Sequence, residues 1–580
     1  MQARVLLIGA EDEENLALRT LAAVLRERGV AARLVGFSRE GDTPAVLRAA
    51  ARWRPDVVAI SMAFQRLAPL FMDLVADLRA QGFRGHVVVG GHFPTFEYAE
   101  ILAAAPGIDS VARFEGEHSL PALVAAVTTG ASLETVPNLV WRTPEGLREN
   151  PLRHAFPDLD AAPFPVRLSR PLVRLGERFA TLIASRGCWH ASCAYCCIGA
   201  FHRDKGERFV LRSAEKVAEE LAALYHGSGV RLFQFHDDNF VLPTPAATRD
   251  RLRDLRRALE RQRVDLREVA FLIKARPDVV DTEVAAELAE LGCVGVFLGI
   301  ENASDSGQRS LMRAASLRAI DEALAAILSQ GMSVTYNLLI FHPHATLAEI
   351  RENMAFVRRH PEMAFDFGRA EIVAGSPLEQ LVIREGRRRG VWPHWDYEMA
   401  DATVERLFEI NLRTFRRPGS AFSGLMHTLI ALSYHADVLV RLHPGPAADR
   451  LREAARDLIA RANLAVIDCL ERACNLATAA SADEVAVAAL DGDLQEQCQG
   501  FQYECNSLTN RMLRLQAAER VFSRFRLRAK VQERAGLLRL FDCDPLSSSS
   551  AAALEATLPR ADCGQSGGRE PGGQDREAGT

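Results

Sequence analysis

Apolar, strand-length runs alternate with helical stretches twice along this chain, once before residue 130 and again between about 180 and 385. Strands that take turns with helices point to parallel sheets with helices packed on their faces. In the first block, strands are predicted at 5–9, 32–37, 55–62, 86–91 and 108–113, with helices at 16–28 and 70–81. In the second, strands are predicted at 181–184, 232–236, 270–274, 294–299, 333–340 and 366–372, with a helix at 214–225. The first block suits a doubly wound, Rossmann-like α/β domain, and the six strand–helix units of the second suit a full or partial TIM barrel. Both architectures place ligands at the carboxyl ends of the strands, so the loops after the strands carry the function. Between the blocks, repeated prolines at 156–165 read as an extended linker. Long helical stretches at 447–474 and 506–534 form a C-terminal α-helical domain. The expected division is 1–145, a linker at 146–176, 177–385, 386–545, and a Ser- and Gly-rich tail at 546–580 expected to be disordered.

The 580 residues are 48% hydrophobic and 25% charged, which is the balance of an ordinary folded protein. A net charge of −5 with no basic block gives nucleic acid nothing to hold. No apolar run reaches the roughly 20 residues that span a bilayer, so no membrane partner is expected. The N-terminus turns acidic too soon for a signal peptide and reads as a first strand. Eleven cysteines, an odd number, do not suggest a secreted disulfide framework, and a reducing cytoplasm is the expected compartment.

Four of those cysteines lie between residues 188 and 197. Cys188, Cys193 and Cys196 follow a strand that ends in Gly187, at x4 and x2 spacing. By spacing alone the loop could hold zinc with His190 or His202 as a fourth ligand, or carry unligated thiols. It could also hold three irons of a 4Fe–4S cluster and leave the fourth open to a small molecule. Its place after the first strand of a barrel, where catalytic loops belong, favours the cluster, as does Tyr195 just before the third cysteine.

With these neighbours the segment resembles the cysteine loop of the radical S-adenosylmethionine (SAM) enzymes. Their usual spacing is x3 and x2, so this chain departs by one residue. The family places an aromatic immediately before its last cysteine, which makes Cys196, not Cys197, the third ligand. Further on, Phe235-His236-Asp237-Asp238-Asn239-Phe240 resembles the acidic end of the family's second strand, implying that Asp237 and Asp238 receive the SAM ammonium. A carboxylate is a natural partner for an ammonium group. Lys274-Ala275-Arg276-Pro277-Asp278 resembles the basic segment that pairs with the methionine carboxylate, implying that role for Arg276. Gly299-Ile300-Glu301-Asn302 resembles the end of strand five, and Asn337-Leu338-Leu339 stands where strand six packs against adenine, which adds Glu301 and Asn337 to the SAM set.

No Gly-x-Gly-x-x-Gly follows the first strand of the N-terminal block, so a dinucleotide is disfavoured. Stretches 15–25, 55–61, 87–94 and 113–117 instead resemble the cobalamin-binding domain fused to many radical SAM enzymes. Gly90 and Gly91 would let backbone approach a bulky ligand. The resemblance implies that Ser61 and His92 contact the nucleotide tail of cobalamin, with Glu115 in the neighbouring loop. Residues 11–15 contain no histidine, so the resemblance implies a cobalt without a histidine beneath it.

Cys469, Cys474, Cys498 and Cys505 could hold a second cluster, but cysteine on a helix is usually a small buried hydrophobe. Trp392, His394, Trp395 and Tyr397 read as packing residues or as the lining of a substrate pocket. Together the resemblances imply a cobalamin-dependent radical SAM enzyme, most of all a methyltransferase. It would act on an unactivated carbon of a secondary metabolite or peptide through a 5′-deoxyadenosyl radical, fed by an electron donor such as flavodoxin or ferredoxin. The alternatives are a cobalamin-using radical enzyme without radical methyl transfer and a zinc-binding interaction protein.

Overall fold

A computed structural model of the chain describes residues 2–11, 13–153, 156–202, 207–479 and 483–539, with side chains described as far as 519. Residues 1–517 form one compact unit. The predicted tail lies outside the described residues.

The first sheet contains β1 (Arg4–Gly9), β2 (Ala31–Gly36), β3 (Val57–Ser61), β4 (His86–Gly90), β5 (Ser110–Ala112), β6 (Leu139–Thr143) and β7 (Gly146–Glu149), ordered 2-1-3-4-5-6-7. β1 to β5 run parallel, and β6 and β7 return antiparallel. The continuous apolar run of β1 explains its central place, because both faces of a parallel sheet are covered. Leu6 and Ile8 enter the core on one face, and Val5 and Leu7 the core on the other. The order of β2, β1 and β3 opens a crevice at their carboxyl ends, where connections depart to opposite sides. After β1, Asn15 caps the helix Leu16–Glu27 by accepting the Leu18 N–H at 3.1 Å.

The second sheet contains β8 (Leu172–Arg174), β9 (Glu177–Leu182), β12 (Leu232–Phe235), β13 (Ala270–Ala275), β14 (Cys293–Leu298), β15 (Ser333–Phe341) and β16 (Ala364–Arg369). Its order is 16-15-14-13-12-9-8, with six parallel strands, an antiparallel β8, and no pairing of β16 to β8. It is therefore a partial barrel, as the six strand–helix units suggested. Two hairpins attach to it: β10 (Ser185–Gly187) with β11 (Phe209–Leu211), and β17 (Arg388–Val391) with β18 (His394–Tyr397). The first barrel strand starts earlier than the apolar pattern indicated. Glu177 opens it although buried, because His443 meets its carboxylate at 2.9 Å and Gln516 donates to it at 3.2 Å.

The proline-rich stretch is fastened to both blocks just beyond its last proline. The expected linker begins inside the β6–β7 hairpin and ends in the turn between β8 and β9. Arg167 reaches Glu14 of the first block at 2.5 Å and Glu220 of the second at 2.6 Å. The Val166 carbonyl accepts from Arg19 at 2.9 Å.

Helices Ala402–Arg413, Ala421–Leu442, Pro446–Thr478 and Glu484–Arg539 follow the barrel. Leu425, Val466 and Leu490 join the same apolar cluster as barrel residues Phe233 and Phe365. Cys469, Cys474, Cys498 and Cys505 are buried in that cluster, and burial pushes the thiols of Cys474 and Cys498 up to about 12. No described helix is long and apolar enough to cross a membrane.

Candidate active site

Two clefts open at the carboxyl ends of the strands. The first, with about 1270 Å³ of empty space, lies between the strand ends of the first sheet and the loop leaving β9. Ser61, Gly90, Gly91, His92 and Glu115 all line it, from loops far apart in sequence. The glycines make room. A Cβ on Gly90 would stand 3.1 Å from the Ala112 carbonyl, and Gly91 has φ +116° with Ala63 backbone 3.2 Å from where a Cβ would be. From the barrel side, Arg186, Gly187, Phe201, His202, His236 and Asp238 complete the wall. Side-chain contacts join the two sides: an ion pair of Glu117 with Arg186 at 2.5 Å, His202 at 3.7 Å from Glu115, and His236 at 3.3 Å from Glu13. His92 packs its ring against Phe201 at 4.7 Å. The described part of loop 11–15 sends no histidine here; Glu11 and Glu14 are held by Arg19 and Arg167.

The cysteine loop begins where this wall ends. Gly187 closes β10 at φ +81°, with the Arg208 carbonyl only 2.3 Å from where a Cβ would lie, so the turn into Cys188 requires glycine. The backbone N–H groups of His190 and Ala191 donate to Cys188, and that of Ile198 to Cys196. Burial raises the thiols of Cys188 and Cys196, and holds Cys197 up at about 11. At Cys193 burial also pushes upward, but His190 and the Arg313 guanidinium, 3.3 Å from the sulfur, outweigh it and hold the thiol at about 7. Cys193 is within electrostatic reach of both Cys188 and Cys196. Among the described residues no three His, Cys, Asp or Glu side chains are gathered at metal-binding spacing. The fit to an iron–sulfur cluster therefore rests on the donor set: three thiols on one loop with amide N–H groups turned toward two of them.

Around the loop stand the residues read from the barrel strands. Asp237 is turned inward, where it accepts from the Ala184 N–H at 3.1 Å and from the Ser185 hydroxyl. Burial raises its carboxyl to about 6. Asp238 faces the first cleft instead. Burial raises it, and its charge is felt by His92 and Lys274 on one side and by Cys188, Cys196 and Cys197 on the other. Arg276 forks onto Asp278 at 2.9 and 3.0 Å under the Trp189 ring, and its buried Nη1 is left with no hydrogen-bond partner among the described residues. Glu301, at φ +61°, is half-buried near Arg313 and accepts from Tyr195. Asn337 lines the second cleft.

Arg313 is the member of this group that the sequence does not reveal. It lies in a turn where Met312 and Ala314 have φ of +53° and +57°, and no spacing in the sequence signals that geometry. There it touches Cys193, the Gly299 carbonyl and, through its own carbonyl, Arg276 at 2.7 Å. The sequence also leaves open the roles of the late aromatics, which divide. Trp392 donates to Glu97 at 2.8 Å and Tyr397 is buried, whereas His394 and Trp395 line the second cleft.

The geometry matches what known proteins share with this chain. The B12 binding domain family matches residues 6–124, and the Radical SAM superfamily matches residues 182–357. An uncharacterized methyltransferase of Pyrococcus horikoshii is 23% identical over 67% of this chain and 78% of its own. The hopanoid C-3 methylase of Methylococcus capsulatus is 27% identical, covering 56% of this chain and 61% of its own. The solved structure of the cobalamin-dependent SAM radical enzyme OxsB superposes with a TM-score of 0.62 at 16% identity, covering 89% of this chain and 81% of that one. TsrM from Kitasatospora setae, a radical SAM methyltransferase solved with cobalamin and a [4Fe-4S] cluster, gives 0.56 at 18% identity, covering 66% and 75%. The chain therefore carries a B12-binding domain and a Radical SAM domain, and the cofactors that go with them are cobalamin, SAM and a 4Fe–4S cluster.

Proposed function

We propose that this enzyme transfers a methyl group to an unactivated carbon of a small-molecule or peptide substrate. The observation that carries the reading is the position of Asp238, which faces His92 across the first cleft while its charge is felt by the cysteine loop. A cobalamin seat and a cluster seat thus share one wall. When bound, the cluster and SAM supply one-electron cleavage of a sulfonium and radical chemistry at carbon, and cobalamin supplies a methyl donor.

The residues of the chain hold and orient these groups. Cys188, Cys193 and Cys196 are the metal ligands, and Cys196 is preferred to Cys197 because its charge is coupled to that of Cys193. Asp238 takes the SAM ammonium, while Asp237 acts as a positioning residue that fixes Ala184 and Ser185 ahead of the loop. The partnerless Nη1 of Arg276 suits a carboxylate, and Glu301 and Asn337 complete the SAM pocket. Ser61, Gly90, Gly91, His92 and Glu115 hold cobalamin, with no histidine of loop 11–15 beneath the cobalt. Flavodoxin or ferredoxin in the cytoplasm would supply the electron.

Methyl-labelled SAM, given to the anaerobically reconstituted enzyme with candidate substrates, tests the reading. Label should appear on a substrate carbon. One relative is an anaerobic magnesium-protoporphyrin IX monomethyl ester cyclase of Synechocystis, 26% identical over 44% of this chain and 50% of its own, which supports a bond-forming reaction without methyl transfer as the second reading. Substrate conversion with no label retained would favour that second reading.

A further inference from the structure

The second cleft, about 1830 Å³ of empty space, is framed by β15, β16, the β17–β18 hairpin, the helix Ala402–Arg413 and the loop after β3. It adjoins Asn337 at one end and Ala63, which also lines the first cleft, at the other. Its walls carry apolar surface from Phe64, Leu339 and Trp395. The polar groups among them are unevenly satisfied. Two of the cations are engaged. Arg416 donates to Asp366 at 2.7 Å, to Ser423 at 3.0 Å and to the Phe367 carbonyl. Arg369 meets Asp396 at 3.0 Å and the Tyr397 carbonyl through Nη2, and is held between the Tyr397 and Phe408 rings at 3.8 and 4.2 Å, while its buried Nε has no hydrogen-bond partner among the described residues. Arg66 is exposed and lies over Phe64 at 6.0 Å, at the rim.

The acceptors are less committed. Asp366 uses Oδ1 for Arg416 and for the Phe367 N–H, leaving Oδ2 to the cleft it lines. Glu371 makes no hydrogen bond or ion pair among the described residues. Asn411 is 1% exposed, lines the same cleft, and its Oδ1 has no partner. A buried polar atom without a partner is rare in folded proteins, and it marks a place where a missing group belongs.

We infer that this second cleft seats the organic substrate and selects one with an apolar body and hydrogen-bond donors (ammonium, hydroxyl or amide N–H), excluding anionic substrates. The inference rests on the enzymatic reading above and adds the substrate class to it. Arg416 holds Asp366 in place from behind, Asn411 supplies a second polar contact from the helix wall, and Trp395 offers a face for a ring. A carboxylate or phosphate beside Asp366 would meet Asp366 and Glu371, and Arg416, the cation that touches this carboxylate, already donates to it.

Three probes that share a phenyl ring test this without turnover: 2-phenylethylamine, 2-phenylethanol and 3-phenylpropionate. Binding of each to the cobalamin-loaded, cluster-loaded enzyme is followed by saturation-transfer NMR and calorimetry. The amine and the alcohol should bind, and the carboxylate at least about tenfold more weakly, a gap of about 1.4 kcal/mol. Asp366→Asn should cost the amine about tenfold in affinity. Asn411→Leu should weaken amine and alcohol together. The cobalamin spectrum reports whether each variant is folded, and Glu371→Gln, at an exposed position, should weaken the amine severalfold even if the buried variants fail to fold. Equal binding of amine and carboxylate, no binding of any probe, or amine binding unchanged in the folded variants would overturn the inference. Because no methyl transfer is read, this outcome is independent of the labelled-SAM result.

Discussion

The two parallel sheets end in opposite chemistry. The strands of the first finish in small, uncharged residues, Gly9, Ser61, Gly90 and Gly91, and the charges nearby are paired with the barrel wall. The strands of the second finish in charge, buried at Asp237, Arg276 and Arg313 and more open at Glu301 and Asp238, around a loop of thiols. A large cofactor with little net charge needs room and backbone approach, which glycine gives. A small zwitterion and a metal cluster need fixed partners, which only buried side chains supply. The difference teaches that similar strand–helix architecture can be finished by removing side chains or by charging them.

The largest effects should come from the charged end. Replacing Cys188, Cys193 or Cys196 with Ala should reduce iron and sulfide content and reductive SAM cleavage to background, while Cys197→Ala keeps both. Cluster loss in Cys197→Ala with retention in Cys196→Ala would reverse the ligand assignment. Next comes Arg313→Met, which takes the guanidinium from Cys193 and from the Gly299 carbonyl. Leaving a buried acceptor unsatisfied costs about 1–3 kcal/mol, so the melting temperature should drop by a few degrees with SAM cleavage impaired. An unchanged melting temperature would mean that this turn does not depend on Arg313.

A pH effect of about 3 kcal/mol follows from Asp237, whose carboxyl rises from 3.8 to about 6 on burial. Between those values the unfolded chain loses the proton while the folded chain keeps it. Stability therefore falls as pH rises from about 4 to about 6 and stays lowered above that. Thermal melts across this window should show the slope, and Asp237→Asn should remove part of it, Asp437 (also raised to about 6) supplying another part. A slope identical in the variant would exclude Asp237 as a source. The smallest effect belongs to the uncharged end. Gly91→Ala forces a Cβ onto a backbone at φ +116°, at a cost of about 1–3 kcal/mol. Cobalamin affinity should fall about tenfold or more with SAM cleavage intact, and an equal loss of both would erase the proposed division of labour.

Much of this was legible in the sequence because apolar runs and glycine punctuation are local signals. Five of the six parallel barrel strands fall on the apolar runs that predicted them, the first starts four residues before its run, and the helix expected at 447–474 extends over Pro446–Thr478. The cysteine loop was legible for the same reason, its residues being neighbours in the chain. What the sequence could not show depends on contacts between distant residues. Glu177 begins a strand only because His443 and Gln516 neutralise it. Asp237 and Asp238 are adjacent and chemically identical, yet the loop leaving β12 turns one into the protein and the other into the cleft. Arg313 and Asn411 acquire meaning only from what surrounds them.

Arg167, in the proline-rich stretch, is shared between Glu14 of one sheet and Glu220 of the other, and Glu220 also holds Arg212 at 2.6 Å. Parting the sheets must tear this arginine from one of its carboxylates and leave a charge stranded in the interior, at a cost of about 3–5 kcal/mol. The connector therefore works as a latch and not as a hinge, and the walls around the first cleft are kept at a set spacing before any guest arrives.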